Sequence, residues 1–209
     1  MQIIESLKWR YATKKFDANR FLDDSQIEIL KEAFNLTATS YGLQPIRLVV
    51  IKNKELQAQL VPHSWNQKQV VDASHVLVLC IDTTIDSESI QNYFERVKAI
   101  RKTPDQILAP FREFMIDTFS KKTDEELKTW AAKQVYIALG NLLTVCSVEK
   151  IDSCPMEGFI PEKYDELLGL EAHGLSSVLV LPVGYRAEDD MFSEMNKVRK
   201  TIAESVMEM

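Results

Sequence analysis

Basic residues gather near both ends of an otherwise acidic chain. Lys8, Arg10, Lys14 and Lys15 crowd the first fifteen residues, and Lys197, Arg199 and Lys200 crowd the last thirteen. The formal net charge is -6, which argues against a general attraction to polyanions such as nucleic acid. Two compact cationic clusters in such a chain suit one small, doubly charged target, and a phosphate monoester is the natural example. On charge alone, two solvated helix faces explain the clusters more simply. The residues between them must decide.

Several ways of binding phosphate or performing catalysis are missing. The six glycines stand at 42, 140, 158, 169, 174 and 184, so no GxG occurs. The dinucleotide fingerprint and the P-loop are therefore absent, and any bound phosphate must be held by side chains. GxSxG, HExxH and EF-hand patterns are missing too. His63, His75 and His173 show no ligand spacing with Cys, Asp or Glu, so a metal site has little support. Cys80, Cys146 and Cys154 form no CxxC and read as free thiols. Cys80 and Cys146 read as core residues, whereas Cys154, just before Pro155, is open to exposure. The N-terminus lacks the basic and apolar regions of a signal peptide, so a cytoplasmic location is expected. The stretch from Ala131 to Val148 includes Lys133, Gln134 and Asn141, which argues against a membrane span.

The elements that must position the clusters can be read from periodicity. Ile4, Leu7 and Tyr11 give a short first helix, on which Arg10 and Lys14 share a face if the turn persists. Asp23 and Gln26 form a capping box ahead of a stripe of Ile27, Leu30 and Phe34. Leu48–Ile51, Val76–Ile81 and Ser177–Val183 are short runs typical of buried strands. Residues 53–60, 86–101 and 104–120 read as helices. Thr123 and Glu126 cap a longer helix that runs to about Glu149, roughly 40 Å. It is apolar nearly all round after Ala131, so burial is expected, and its length suits the spine of a dimer. Gln134 and Asn141 share one face of it, as satisfied core amides or as ligand contacts. A last helix is expected over about 189–203, carrying the C-terminal cluster. Few strands and many helices in 209 residues predict a single α+β domain, residues 1–209, with a central, mainly antiparallel sheet.

Read together, several segments resemble the oxygen-insensitive NAD(P)H nitroreductase family, an FMN-dependent group that includes dihydropteridine reductase activity. The N-terminal segment is Arg10-Tyr11-Ala12-Thr13-Lys14-Lys15-Phe16-Asp17. Thr39-Ser40 through Gln44-Pro45, then Asn66, then Asp72-Ala73-Ser74-His75-Val76 follow in order. Ala132-Lys133-Gln134-Val135-Tyr136 and Gly140-Asn141 match on the long helix. Pro155-Met156-Glu157-Gly158-Phe159, Pro182-Val183-Gly184 and Lys197-Val198-Arg199 complete the set. The order holds over essentially the whole chain, with gaps mostly in 85–125.

The resemblance implies an intertwined homodimer with FMN at its interface and NADH or NADPH as co-substrate. It makes Arg10, Lys197 and Arg199 a clamp on the FMN phosphate, where forked guanidinium donors suit phosphate oxygens. It places Lys14 near flavin N1 and O2, where a cation stabilises growing negative charge. Asn66 would bond the pyrimidine edge, and Glu157 and Gly158 would bring backbone amides to N5 and O4. Tyr11, Ala12, Gly42, Gln69 and Met156 would line the cofactor, with Thr39, Ser40 and Gln134 reaching it from the partner. Two departures stand out. Ala12 stands where the family often has Ser, and Gln69 replaces a second Lys, so a lower flavin potential is expected. Phe111, Phe114, Ile116 and Phe119 could wall the substrate, but their helical spacing reads mainly as core.

The implied activity is a ping-pong transfer from NAD(P)H through FMN to a small acceptor: a nitroaromatic, quinone or pteridine. Lys14 and Glu157 are the residues expected to tune the ring. A free-flavin reductase and a non-catalytic FMN-binding protein of the same fold are the alternatives, with a cofactor-free structural dimer behind them. No nucleic-acid or membrane partner is implied.

Overall fold

The computed structural model describes residues 2–209. Its elements, in chain order, are α1 (Gln2–Trp9), α2 (Asp24–Asn35), β1 (Ile46–Ile51), α3 (Lys54–Leu60), α4 (Gln69–Asp72) and β2 (His75–Asp82). These are followed by α5 (Ser87–Arg101), α6 (Asp105–Ser120), α7 (Asp124–Val148), β3 (Asp152–Ser153), α8 (Pro161–Leu168), β4 (Leu175–Gly184) and α9 (Ile202–Ser205). The four strands form one antiparallel sheet in the order β1-β2-β4-β3, so the expected α+β architecture is present.

β2 is buried on both faces, and its alternating side chains divide the core in two. Leu77, Leu79 and Ile81 pack on one side with Leu30, Phe94, Met115 and Leu142 from the helices. Val76, Val78 and Cys80 pack on the other with Leu60 and Tyr164. Each fully buried side chain of this kind contributes about 1.5–3 kcal/mol, which fixes the sheet as the platform for everything else.

Both expected capping boxes form. The Asp23 side chain accepts from the Gln26 amide while the Gln26 side chain accepts from the Asp23 amide. Thr123 and Glu126 do the same at the start of α7. Each satisfies helix-end donors that would otherwise have only water.

Five expectations need correction. First, α1 ends at Trp9, so Arg10 and Lys14 share no helical face. Their loop leaves the helix because Thr13 N–H bonds Ser153 O (3.2 Å), stitching the arm to β3. Second, no helix spans 189–203; that segment holds only a short turn, Met191–Glu194, and the four-residue α9. The Asp190 carboxylate is committed to amides and a phenol outside the segment, and little of the segment is buried, so packing does not support a longer helix there. Third, α7 is not covered all round: Lys133, Tyr136, Ile137, Gly140 and Val148 lie exposed along one stripe. Fourth, Cys154 is buried, because its amide bonds Pro182 O and draws it onto the sheet. Fifth, only Phe119 of the four α6 residues is fully core and Ile116 packs against it. Phe111 and Phe114 stack on each other at the surface, with ring centroids 6.2 Å apart.

Candidate active site

The two termini meet. A cavity of about 340 Å³ is lined by Arg10, Tyr11, Ala12 and Lys14 from the N-terminal arm and by Lys197 and Arg199 from the C-terminal segment. The arm is held from below by the parallel bridge between Ala12 and Ser153. It is held from the side by Asp17 N–H to Tyr185 O (2.8 Å) and Ala187 N–H to Lys15 O (2.9 Å). These ties bring residues about 180 positions apart in sequence into one corner.

The electrostatics of this corner are one-sided. Arg10, Lys197 and Arg199 make no ion pair with a carboxylate among the described residues. Burial lowers the pKa of Arg10, and neighbouring Arg199 lowers it further. Burial also lowers that of Lys197, with Arg10, Arg199 and Arg186 adding to the effect. The Arg10 Nε–H is buried without a hydrogen-bond partner. An unmet donor among repelling cations is costly unless an anion completes it. A phosphate monoester matches this demand in charge and in acceptor number.

A rail leads away from the corner. Beyond Ser153, Cys154 N–H bonds Pro182 O (3.1 Å) and Met156 N–H bonds Val180 O (2.8 Å). The segment therefore runs extended along β4, and Ser153 to Glu157 covers about 13 Å at strand rise. Three contacts hold its far end. Tyr136 of α7 donates its hydroxyl to Glu157 Oε1 (2.7 Å). Gln67 Nε2 donates to Gly158 O (3.1 Å). The Trp65 ring lies so close that a Cβ on Gly158 would sit 2.8 Å from its Cε3. Only glycine fits there without displacing the indole. Trp65 and Asn66 both adopt left-handed backbone, which turns the chain sharply beside this end.

Other expected contacts lie elsewhere. Gln69 is buried in α4. Gln134 accepts from Ser40 N–H (2.9 Å) and donates to Trp130 O (3.0 Å). Asn141 donates to Ala33 O (2.8 Å) and Thr37 Oγ1 (2.9 Å). Thr39 Oγ1 accepts from Gln44 N–H (3.1 Å), and Gly42, at φ +73°, packs under the Tyr93 ring of α5. Gln134 and Tyr136 point about 200° apart around α7. Ser40 and Glu157, their respective partners, thus lie on opposite sides of that helix. Within one chain, the structure joins Arg10, Tyr11, Ala12, Lys14, Lys197 and Arg199, and it leads by the rail to Met156, Glu157 and Gly158. It does not bring Thr39, Ser40, Gly42 and Gln134 to them.

Asp190, Trp65, Gln67 and Tyr136 escaped sequence reading. Tyr136 stood inside a quoted motif, but nothing in its spacing pointed to Glu157. The three buried thiols carry no sign of reactivity: burial raises all three, Cys80 and Cys146 to about 12.

An antiparallel sheet between helical layers, with a cationic corner and a backbone rail along one strand, defines an α+β protein. The nitroreductase family model matches residues 7–185. The chain is 36% identical over 215 aligned residues to a protein of Staphylococcus haemolyticus provisionally named NAD(P)H nitroreductase SH0546, covering 99% of this chain and 96% of that one. It is 35% identical to the similarly named YfkO of Bacillus subtilis, covering 90% of each. The chain belongs to the nitroreductase family. Solved structures agree on the fold. A crystal structure of the nitroreductase-like YdfN of Bacillus subtilis superposes at a TM-score of 0.89 with 16% identity, covering 100% of this chain and 99% of that one. A protein of Exiguobacterium sibiricum provisionally named a nitroreductase, crystallised in complex with FMN, superposes at a TM-score of 0.84 with 22% identity, covering 99% of this chain and 97% of that one.

Proposed function

We propose that this protein is an FMN-dependent NAD(P)H oxidoreductase that works by a ping-pong cycle on small acceptors such as nitroaromatics, quinones or pteridines. The observation that carries the reading is the cationic corner with its unmet Arg10 donor, set at the start of the rail. Relatives named as NAD(P)H nitroreductases and the FMN complex of a neighbour point the same way. Bound FMN would supply the redox chemistry, accepting hydride from NAD(P)H and delivering electrons to the acceptor.

The chain's own part is positioning and charge. Arg10, Lys197 and Arg199 hold the phosphate with charge-assisted hydrogen bonds. Lys14, which lines the same cavity, would offer a cation to the ring end that gains negative charge. The Glu157–Gly158 backbone would present amides to the ring, with the Trp65 indole packed against Gly158 where a side chain would otherwise stand. Asn66 serves the polar edge of the ring.

The working unit in this reading is a homodimer. The exposed stripe of α7, with Tyr136 and Ile137 about half exposed and Gly140 between open turns, suits a second helix. In this reading Thr39, Ser40 and Gln134 serve the corner of the partner copy and not that of their own chain, and Gln134 would exchange its bonds to Ser40 and Trp130 for that role. Three buried, unpaired cysteines fit a cytoplasmic setting.

The test is visible spectroscopy of the purified protein. The expected result is a yellow preparation that bleaches when NADH or NADPH is added anaerobically. A colourless preparation that FMN cannot reconstitute would refute the reading, and a yellow one that neither nicotinamide bleaches would indicate a flavin carrier. Under excess NAD(P)H, turnover with free FMN as acceptor, compared with a nitroaromatic or quinone, separates a flavin reductase from the proposed activity.

A further inference from the structure

We propose that Asp190 is the positioning residue that assembles the phosphate corner, by strapping the C-terminal basic segment to the N-terminal one. The inference rests on the phosphate reading of that corner. The Asp190 carboxylate is 3% exposed, yet no cation pairs with it among the described ion pairs. Its charge is met entirely by hydrogen bonds. Oδ2 accepts from the Tyr11 hydroxyl (2.8 Å), the Lys14 amide (2.9 Å) and the Lys15 amide (3.1 Å). Oδ1 accepts from the Phe192 amide (3.2 Å), which caps the short turn that follows. Capping needs only that one bond. The three bonds to Oδ2 do something different: they cross 175–179 positions of sequence and end on the arm that carries Arg10 and Lys14.

Among the described residues, no other hydrogen bond or ion pair ties the segment beyond Asp190 to the rest of the fold. Beyond Asp190 the backbone hydrogen bonds are local, as from Ser193 to Asp190 and from Met195 to Phe192. The Arg199 guanidinium bonds its neighbour Val198 O. Lys197 and Arg199 follow the strap by seven and nine residues, so their place in the cavity depends on where Asp190 is pinned. The neighbouring Asp189 pairs with Lys15 at the surface, a contact whose solvent exposure makes it weak. Burial raises the Asp190 carboxyl, but the Tyr11 hydroxyl and the Lys14, Lys15 and Phe192 amides outweigh it and hold the group below its ordinary range. It therefore stays an anion, and an anion is what three converging donors require. Because the strap's charge is already matched by donors, it leaves Arg10, Lys197 and Arg199 free for an outside anion.

The discriminating measurement compares FMN with riboflavin, which lacks only the phosphate. Apoprotein of the full chain is titrated with each ligand by calorimetry, for wild type, Asp190→Ala, Asp190→Asn and Tyr11→Phe. The expected result for Asp190→Ala is a loss of about ten-fold or more in FMN affinity, with riboflavin affinity changed less than about two-fold. Asp190→Asn keeps one acceptor but turns an NH2 toward the donors, so it should fall between, and Tyr11→Phe should lose least. A general loss of structure would weaken both ligands together and overturn the specific role. An FMN-to-riboflavin ratio in Asp190→Ala equal to wild type would overturn it too. If Asp190→Ala does not fold, an unchanged ratio in both Asp190→Asn and Tyr11→Phe is enough to reject the strap. Absence of any FMN preference in wild type would instead refute the phosphate corner itself.

Discussion

Two arginines flank the same N-terminal arm, and the fold treats them differently. Arg186 stacks on Trp9 and Tyr11 and has its own counter-ion. Its Nε donates to Asp152 Oδ1 (2.7 Å), its backbone amide donates to Oδ2 (2.9 Å), and Asp152 is 6% exposed. Arg10 lies among Lys197 and Arg199 with no carboxylate partner and a buried Nε that bonds nothing. The first arginine has its counter-ion within the chain and holds the fold. The second has none, and in the proposed reading a bound phosphate supplies it. A buried arginine without a counter-ion among the described residues, more than positive charge alone, therefore marks the candidate site. The corner around Gln134 makes the same point from the other side, since both ends of that amide are used internally.

The comparison can be broken at either arginine. Arg186→Met should give the largest effect on folding. It strands the buried Asp152 carboxylate with one remaining amide, at a cost of about 3 kcal/mol. For a chain of this size, the apoprotein should melt about 6–12 °C lower by calorimetry, while the preference for FMN over riboflavin persists. An undisturbed melting point would mean the pair is only a surface contact. The smaller effect belongs to the corner. Arg199→Ala should leave the melting point of the apoprotein nearly unchanged and weaken FMN binding by about 1–3 kcal/mol, measured by flavin fluorescence on titration. Unchanged FMN affinity would return the C-terminal cluster to the status of a solvated face.

Much of the fold was legible because periodicity and caps act locally. The Asp23 and Thr123 boxes, the β-branched runs of β1 and β2, and the span of α7 are all written within a few residues. The two-residue β3 was not, since Asp152–Ser153 has no pattern of its own and exists because β4 offers an edge. The end of α1 at Trp9 and the unwound 189–201 segment share one cause. Each is decided by bonds to the other terminus, through Ser153, Tyr185 and Asp190, and no local window contains both partners. The site followed the same rule. The basic clusters were visible as charge, and the family segments gave them a role. That they converge, and that Asp190 does the joining, is a fact of tertiary contact. The separation of Ser40 from Glu157 by α7 was likewise invisible, although 134 and 136 are only two residues apart.

In the proposed reading the corner of Arg10, Lys197 and Arg199 holds a phosphate. Calorimetric titration of the wild-type apoprotein with FMN and with riboflavin tests it most directly. The expected result is that FMN binds at least about a hundred-fold more tightly, the yield of two or more charge-assisted hydrogen bonds to the phosphate, and that the margin shrinks as salt is raised. Equal affinity for the two flavins, or a margin indifferent to salt, would contradict it.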